Sequence, residues 1–195
     1  MSRFRQAISE GDGISVVPML LGEVEELAAL AETAGAEAVA VELPDVGRVR
    51  ASTSLAILGH GGEPTEASAT GADAWILRSG DELDERAATA RELELDCAVE
   101  VRDEQSLEEV LERIDPDIIL ISERGLGDDE EDLERTLDLL ADVPAGKLVI
   151  SEARVIAREQ VVALERAGVD AILVAGELLR ASPDFASALA ELTGR

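Results

Sequence analysis

Lysine is nearly absent from this chain of 195 residues, in which Lys147 stands beside 16 arginines. Acidic residues number 43, and the formal net charge is −26. Nucleic-acid phosphates need cations as partners, and so acidic a surface repels a polyanion, which excludes nucleic acid. An acid excess with almost no lysine is typical of salt-loving organisms, whose cytoplasm screens the self-repulsion. Most acids are then solvated surface groups, and composition alone marks none of them as catalytic.

Cysteine and long apolar runs are also scarce. Cys97 is the only cysteine, so no internal disulfide can form, and a structural metal site would lack its usual paired thiols. We expect a buried, inert thiol there. The apolar runs are far shorter than the roughly 18 residues of a membrane span, and MSRFRQAISEGDG lacks the apolar core of a secretory signal. These absences predict a cytoplasmic chain with no membrane contact.

Apolar residues make up 46% of the chain, which predicts one globular domain over residues 1–195. One pattern occurs four times: AGAEAVAVE (34–42), TGADAWILR (70–78), IDPDIILIS (114–122) and AGVDAILVA (167–175). In each copy, a turn-forming residue and an acid precede an apolar run of strand length. Four more strand candidates lie between the copies: ISVVPML (14–20), SLAILG (54–59), CAVEV (97–101) and KLVIS (147–151).

Helical segments alternate with these eight strands. Segments such as EVEELAALAETA and EQSLEEVLERI space their apolar residues three and four apart, as surface helices do. After strands 2 and 3, PDVGRVRAST and GHGGEPTEASAT are rich in turn-forming residues. The alternation predicts an α/β fold with parallel strands. Eight strands predict a compact (β/α)8 TIM barrel with reduced helices after strands 2 and 3.

In such barrels, reactive groups stand at the C-terminal ends of the strands. Glu100 is the strongest candidate, because a carboxylate inside a buried strand must line the cavity or carry a desolvation penalty. It is either a general base or a structural acid paired with Arg78 or Arg124. The other strand-end candidates are Met19, Leu20, Glu42, His60, Arg102, Ser122, Glu123, Ser151, Glu152, Arg154, Gly176 and Glu177.

Further interpretations concern single residues and one charge run. His60, the only histidine, lies in the glycine-rich LGHGG and is either an acid/base group or plain surface. Trp75 is predicted to fill the core. Arg154 follows strand 7 and either clamps an anion or pairs with a carboxylate. The acidic run GLGDDEEDLER (125–135) is predicted to form a loop and a helix start, with a metal site as the alternative.

The second half of the chain resembles a known enzyme family. The segments AVEVRDEQSLEEVLE, IILISERGL, DLERTLDLL, LVISEARV and GVDAILVAGELLRA follow the order and spacing typical of indole-3-glycerol phosphate synthase. The resemblance is good from about residue 70 onward and weaker before it. It implies a (β/α)-barrel lyase of tryptophan biosynthesis, which closes an indole ring on a phosphorylated substrate with loss of carbon dioxide and water. It implies no cofactor and no metal.

The resemblance also assigns roles to residues. Glu100 matches the strand-5 glutamate that acts as the base, and His60 stands roughly where the family has its strand-3 lysine, as a candidate acid. Ser122, Arg124 and Glu152 match substrate-binding positions, with Ser122 in place of an asparagine.

The family's phosphate site, built from backbone groups after strands 7 and 8, corresponds to Ala153, Arg154, Ala175 and Gly176. Backbone N–H groups at the start of the helix after strand 8 suit an anion, but Glu177 adds negative charge beside them.

The lysines are the main departure. The family needs one on strand 1 and one on strand 3, where this chain has Pro18 and roughly His60. Lys147 opens strand 7 at the opposite end of the barrel. Arginine donates protons poorly, because its pKa exceeds about 12. Loss of a general acid alone typically costs about 10² to 10⁴ in rate.

Three functions therefore stay open. The first is an enzyme of this lyase line that acts on a different small phosphorylated or carboxylated metabolite. The second is a non-catalytic relative that binds a metabolite or a protein partner. The third is an active, divergent indole-3-glycerol phosphate synthase in which His60 replaces the lysine. Because a fold does not determine a function, the sequence does not decide between them.

Overall fold

The computed structural model describes residues 2–11, 13–80, 82–122, 129–152, 154–155, 157–180 and 184–194, without the side chains of 129–132 and 180. The strands are β1 (Ser15–Pro18), β2 (Ala38–Glu42), β3 (Ala56–His60), β4 (Ala74–Arg78), β5 (Asp96–Val101), β6 (Ile118–Ser122), β7 (Leu148–Glu152) and β8 (Ala171–Val174). The helices are α1 (Arg3–Ser9), α2 (Val24–Thr33), α3 (Val46–Arg50), α4 (Pro64–Thr70), α5 (Leu83–Glu92), α6 (Glu104–Arg113), α7 (Asp129–Leu140), α8 (Arg158–Ala167), α9 (Gly176–Arg180) and α10 (Phe185–Thr193). No helix within the described residues is long and apolar enough to cross a membrane.

The eight strands form one parallel sheet in the order β1-β8-β7-β6-β5-β4-β3-β2. A parallel bridge between Met19 and Ala40 joins the two ends of this sheet. The backbone N–H of Leu20 also donates to the Ala40 carbonyl at 2.8 Å. The sheet is therefore closed into a barrel, which confirms the predicted (β/α)8 architecture, and every predicted strand segment contains or overlaps an observed strand.

The acid of the fourfold sequence pattern has a structural role that explains its repetition. In all four copies the acid directly precedes an even-numbered strand. In three of them its carboxylate accepts a backbone N–H near the start of the odd-numbered strand that comes before. The acids Glu37, Asp73 and Asp170 bind the N–H groups of Val16, Ile57 and Val149 at 3.2, 2.8 and 2.7 Å, respectively. In the fourth copy, Asp117 instead pairs with Arg5 of α1 at 2.5 Å.

Side chains alternate along each strand between an outer buried layer and the barrel interior. In β2, Val39 and Val41 belong to the outer layer under the helices, whereas Ala38 and Ala40 point into the barrel. The interior is rich in alanine, and helix α1 supplies the bulk at its N-terminal end. Phe4 and Ile8 are 0% and 2% exposed and pack against the interior side chains. At the C-terminal end of the barrel, most of the inward-facing side chains are polar.

The connections after β2 and β3 are short, as predicted. A 3₁₀ turn (Leu43–Asp45) and the five-residue α3 follow β2, and the seven-residue α4 follows β3. Each of the two connections has a proline in its first helical turn: Pro44 in the 3₁₀ turn after β2 and Pro64 in α4. Leu43 packs directly on β3, because a Cβ atom at Gly59 would overlap the Leu43 side chain. This tight packing compensates for the missing helix length on this side of the barrel.

Candidate functional site

The inward-facing position at the C-terminal end of most strands holds a polar side chain. It lies two residues beyond the last apolar interior position, so the pleat directs it toward the barrel axis. Its occupants, which we call the mouth, are Met19, Glu42, His60, Arg78, Glu100, Ser122, Glu152 and Ala175. Strand register places Glu42 beside His60, Arg78 beside Glu100 and Ser122 beside Glu152.

Glu100 is the most buried acid of the mouth, with a side chain 7% exposed. Arg102 donates to its Oε1 atom from Nε at 2.9 Å and from Nη2 at 2.6 Å. The Nε atom of Arg78 lies 3.3 Å from Oε2. Glu100 is thus buried at the C-terminal end of β5 and ion-paired with Arg78, one of the two partners that the sequence suggested. Its second partner, Arg102, was missed, although the spacing of two residues along an extended chain was the available signal.

His60 is the last residue of β3 and not part of the glycine-rich loop that follows it. Its Nε2 atom lies 2.9 Å from Nη2 of Arg78. A guanidinium group can only donate, so this contact requires Nε2 to be unprotonated and the imidazole proton to lie on Nδ1. Side chains from three successive strands, His60, Arg78 and Glu100, are therefore linked in one chain of contacts.

Trp75 supports this arrangement from the outer layer. Its side chain is 2% exposed, which confirms its prediction as a core residue. The indole Nε1–H donates to the carbonyl of Gly61 at 2.8 Å. Because Gly61 directly follows His60, the bond anchors the chain immediately after the histidine.

Ser122 and Glu152 form a second polar pair in the mouth. The Ser122 hydroxyl donates to Oε2 of Glu152 at 2.7 Å. Ser122 is 1% exposed, and Glu152 is half-buried. The pair lies on β6 and β7, so it places a hydroxyl and a carboxylate away from the two arginines around Glu100. Arg124, predicted to bind substrate with this pair, lies outside the described residues.

The predicted phosphate site lies where β8 leads into α9. Gly176 is buried, and a Cβ atom there would overlap the backbone carbonyl oxygen of Met19. Close packing therefore accounts for glycine at this position without any anion. Ala175 is half-buried, and Glu177 is exposed in the first turn of α9.

The other two residues of the predicted phosphate site follow β7. Arg154 is exposed. Ala153 lies outside the described residues. The assignment of phosphate to this part of the barrel stays a prediction.

Lys147 and Cys97 lie at the opposite, N-terminal end of the barrel. Lys147 directly precedes β7, and its Nζ atom lies 2.5 Å from Oδ1 of Asp115. Cys97 lines a cleft of about 410 Å³ between α5 and the segment 114–118 that follows α6. Burial raises the pKa of the Cys97 thiol to about 12, so the thiol is protonated and unreactive near neutral pH.

Acidic side chains do not form an obvious metal site in the described part of the chain. Among those residues, no group of three or more His, Cys, Asp and Glu side chains is arranged to hold an ion. The acidic run 125–135, where a metal site was the alternative, has described side chains only from Leu133 onward.

Comparison with known protein families gives a match over most of this barrel. The family model for indole-3-glycerol phosphate synthase matches residues 65–192, from α4 to α10. The chain belongs to the indole-3-glycerol phosphate synthase family. The match confirms the resemblance seen in the second half of the sequence, and it includes the strands that supply Arg78, Glu100, Ser122 and Glu152 to the mouth.

Individual relatives agree with the family assignment. Indole-3-glycerol phosphate synthase from Verminephrobacter eiseniae is 37% identical over 131 residues, which are 65% of this chain and 49% of the relative. The synthase from Acidithiobacillus ferrooxidans is 39% identical over 119 residues, or 59% of this chain and 45% of the relative. The matched part of the chain thus spans about half the length of the curated relatives.

Solved structures with similar folds are more distant in sequence. A mutant tryptophan synthase alpha-subunit from Pyrococcus furiosus has a TM-score of 0.74 at 16% identity, covering 93% of this chain and 98% of its own. The N-acetylmannosamine-6-phosphate 2-epimerase from Clostridium perfringens has a TM-score of 0.74 at 15% identity, covering 89% of both chains. At these identities the likeness shows the shared barrel fold alone.

Proposed function

We propose that this chain binds a small phosphorylated or carboxylated metabolite in the mouth and that Glu100 accepts a proton from it. The main support is a carboxylate only 7% exposed at the end of the barrel where enzymes of this fold hold their reactive groups. A carboxylate removed from water costs free energy unless polar groups compensate it. Here Arg78 and Arg102 compensate it while leaving it in the mouth.

His60 is the proposed hydrogen-bond donor to the ligand. Because Nε2 accepts from Arg78, the imidazole is neutral and its proton lies on Nδ1. A neutral imidazole can stabilise negative charge that develops on a ligand oxygen through this N–H group. His60 would thereby take over part of the work that a lysine does in the family.

Ser122 and Glu152 are the proposed contacts to ligand hydroxyl groups. The Ser122 hydroxyl donates to Glu152, and its oxygen can still accept a hydrogen bond. A carboxylate and a hydroxyl oxygen side by side suit a polyhydroxylated, sugar-like ligand, since both can accept hydrogen bonds from ligand hydroxyl groups. The pair therefore favours a phosphorylated sugar or sugar acid over an apolar ligand.

Ring closure of the ordinary family type is less favoured for this chain. The single lysine lies at the N-terminal end of the barrel, bound to Asp115. The mouth thus has no ammonium donor among its own strand-end residues. Any reaction is expected to be of the same class, a decarboxylating carbon–carbon lyase, on a ligand other than the family's substrate. Ligand binding without turnover is the second candidate, because both oxygens of Glu100 are already engaged.

Thermal unfolding in high salt with a panel of phosphorylated sugars and sugar acids tests the proposal. At least one compound should raise the unfolding temperature of the wild type, since a ligand that binds only the folded state stabilises it. Glu100→Gln should retain this shift but lose about 10²- to 10⁴-fold in turnover of that compound. Glu108→Gln is the matched control, because Glu108 is an exposed acid on α6.

The outcomes separate the candidates. A shift without turnover in the wild type supports the binding protein, and formation of indole-glycerol phosphate that depends on Glu100 supports the divergent synthase. If no compound stabilises the wild type at any salt concentration, the proposal is wrong, and co-purification with another chain would favour a protein partner.

A further inference from the structure

We infer that Arg78 is the residue of the mouth that receives a ligand carboxylate, while Arg102 holds Glu100 in place. This inference rests on the proposed function, because it names the group that recognises the ligand. Two guanidinium groups share one carboxylate here, so the charge around Glu100 has a local excess of one positive unit. An organic monoanion would neutralise that excess.

The two arginines hold Glu100 unequally. Arg102 makes two hydrogen bonds to Oε1, at 2.9 and 2.6 Å, whereas Arg78 makes one ion-pair contact to Oε2 at 3.3 Å. The second partner of Arg78 is the neutral ring of His60, which does not neutralise its charge. The Arg78 side chain is also 57% exposed, so its guanidinium group is accessible from solvent. A ligand anion would therefore displace the weak Arg78 contact and leave the strong Arg102 contacts intact.

Several other arginines of the chain are compensated differently. Three arginines outside the barrel each contact two carboxylates: Arg48 with Glu25 and Asp45, Arg86 with Glu63 and Glu82, and Arg113 with Asp84 and Glu109. Arg3 and Arg50 also share one carboxylate, that of Asp73, but Asp73 precedes β4 at the N-terminal end of the barrel. Arg78 and Arg102 share theirs at the C-terminal end, where enzymes of this fold bind their ligands, and this location supports a role in binding.

The charge of the mouth favours a carboxylate over a phosphate dianion at Arg78. Glu42 and Glu152 are two further acids of the same ring, on β2 and β7, outside the group formed by Arg78, Arg102 and Glu100. A second negative charge on the ligand would add repulsion from these acids. Guanidinium groups bind planar carboxylates through paired N–H donors, which is the geometry that Arg102 already uses on Glu100 in part.

The test uses benzoate and acetate as carboxylate probes, benzamide as the neutral match and methyl phosphate as the dianion, at constant high ionic strength. Trp75 is the only tryptophan and lies beside the mouth, so its fluorescence, together with thermal unfolding, reports occupancy. We expect a carboxylate to bind the wild type, with affinity about tenfold or more weaker in Arg78→Gln, which removes a charged hydrogen bond. Arg78→Lys should recover part of the loss. Arg86→Gln removes the same charge outside the barrel and should change the affinity less than about twofold.

Each other outcome overturns the inference in a distinct way. Equal losses in Arg78→Gln and Arg86→Gln would show a general effect of net charge. Tighter binding of methyl phosphate than of benzoate through Arg78 would make the ligand class wrong. If panel sugars bind the wild type and Arg78→Gln equally but fail with Ser122→Ala, the proposed function stands and the role of Arg78 does not. If no probe affects the wild type, Arg78 is not a carboxylate receptor, whereas the sugar panel still decides the proposed function.

Discussion

Nη2 of Arg78 lies 2.9 Å from Nε2 of His60, and the same guanidinium group contacts Glu100 through Nε. This one arginine therefore connects the proposed hydrogen-bond donor with the proposed base. The parallel register pairs Arg78 with Glu100, whereas the pairing of Gly59 with Trp75 sets His60 about two residues before Arg78, so the long Arg78 side chain contacts both neighbours. These three residues of the mouth form an electrostatic unit, in which a change at one residue alters the other two.

Replacing Arg102 by glutamine should destabilise the fold. The substitution removes both hydrogen bonds to Oε1 of a buried carboxylate, and Arg78 alone compensates poorly. We expect a loss of about 1–3 kcal/mol in the free energy of unfolding, measured by denaturant titration in high salt. Arg86→Gln, which breaks exposed ion pairs, should cost about 1 kcal/mol or less. If Glu100→Gln does not reduce the cost of removing Arg102 in the double variant, the two residues are not coupled.

Asp170→Asn should be more stable than the wild type at neutral pH. Burial raises the pKa of Asp170, although its carboxylate accepts the Val149 N–H. A raised pKa in the folded state means that the stability from this group is full below the unfolded pKa and is lost as pH rises through the folded pKa. The amide keeps an acceptor for Val149 without the charge, so its advantage should vanish in acid. Asp170→Ala leaves that N–H unpaired and should cost about 1–3 kcal/mol.

The contribution of Asp184 to stability should depend on pH in the opposite direction to that of Asp170, when both are measured by unfolding at several pH values. Ser187 and backbone N–H groups at the start of α10 lower the pKa of Asp184. Its contribution is therefore present above the unfolded pKa and is lost as pH falls through the folded pKa. Asp184→Asn should be destabilised at neutral pH and should converge with the wild type in acid. The same sign for Asp170→Asn and Asp184→Asn would contradict the assigned causes.

Gly176→Ala should destabilise the chain even without any ligand. Its new methyl group would overlap the Met19 carbonyl oxygen, and relieving such overpacking typically costs about 1–3 kcal/mol. Gly47→Ala is the matched control, because Gly47 lies in α3 with open space around the added Cβ and should gain about 0.5–1 kcal/mol. Thermal unfolding of both variants measures the difference. A stable Gly176→Ala variant would reopen a ligand-based reason for this glycine.

Lys147→Gln should leave ligand binding unchanged. The residue precedes β7 at the end of the barrel away from the mouth, and its ion pair with Asp115 is a local contact. We expect a loss of about 1 kcal/mol or less in stability and no change in the ligand-induced shift of unfolding temperature. Loss of ligand binding in a folded Lys147→Gln variant would show that the chain's only lysine serves the site after all.

The sequence predicts the barrel well, because each buried strand needs an apolar run and each connection needs a helix or turn. It also marks Glu100, since an acid inside a buried strand is costly. The partners of Glu100 could not be predicted uniquely, because 16 arginines and 43 acids permit many pairings and only strand register selects among them. The sequence places His60 in the glycine-rich LGHGG, whose glycines hide that β3 extends to the histidine. The structural role of the acid in the fourfold pattern could not be predicted from the sequence, since the backbone N–H that it binds lies on another strand.

Hydrogen–deuterium exchange with the panel compound that stabilises the chain most is the most direct test of the proposed site. Binding in the mouth predicts slower exchange in residues 58–62, 76–80 and 99–103, at the C-terminal ends of β3, β4 and β5. Residues 94–97 and 114–118, which line the cleft of about 410 Å³ next to α5, should be unaffected. Protection confined to that cleft, with none at the three strand ends, would contradict a ligand site built around Glu100.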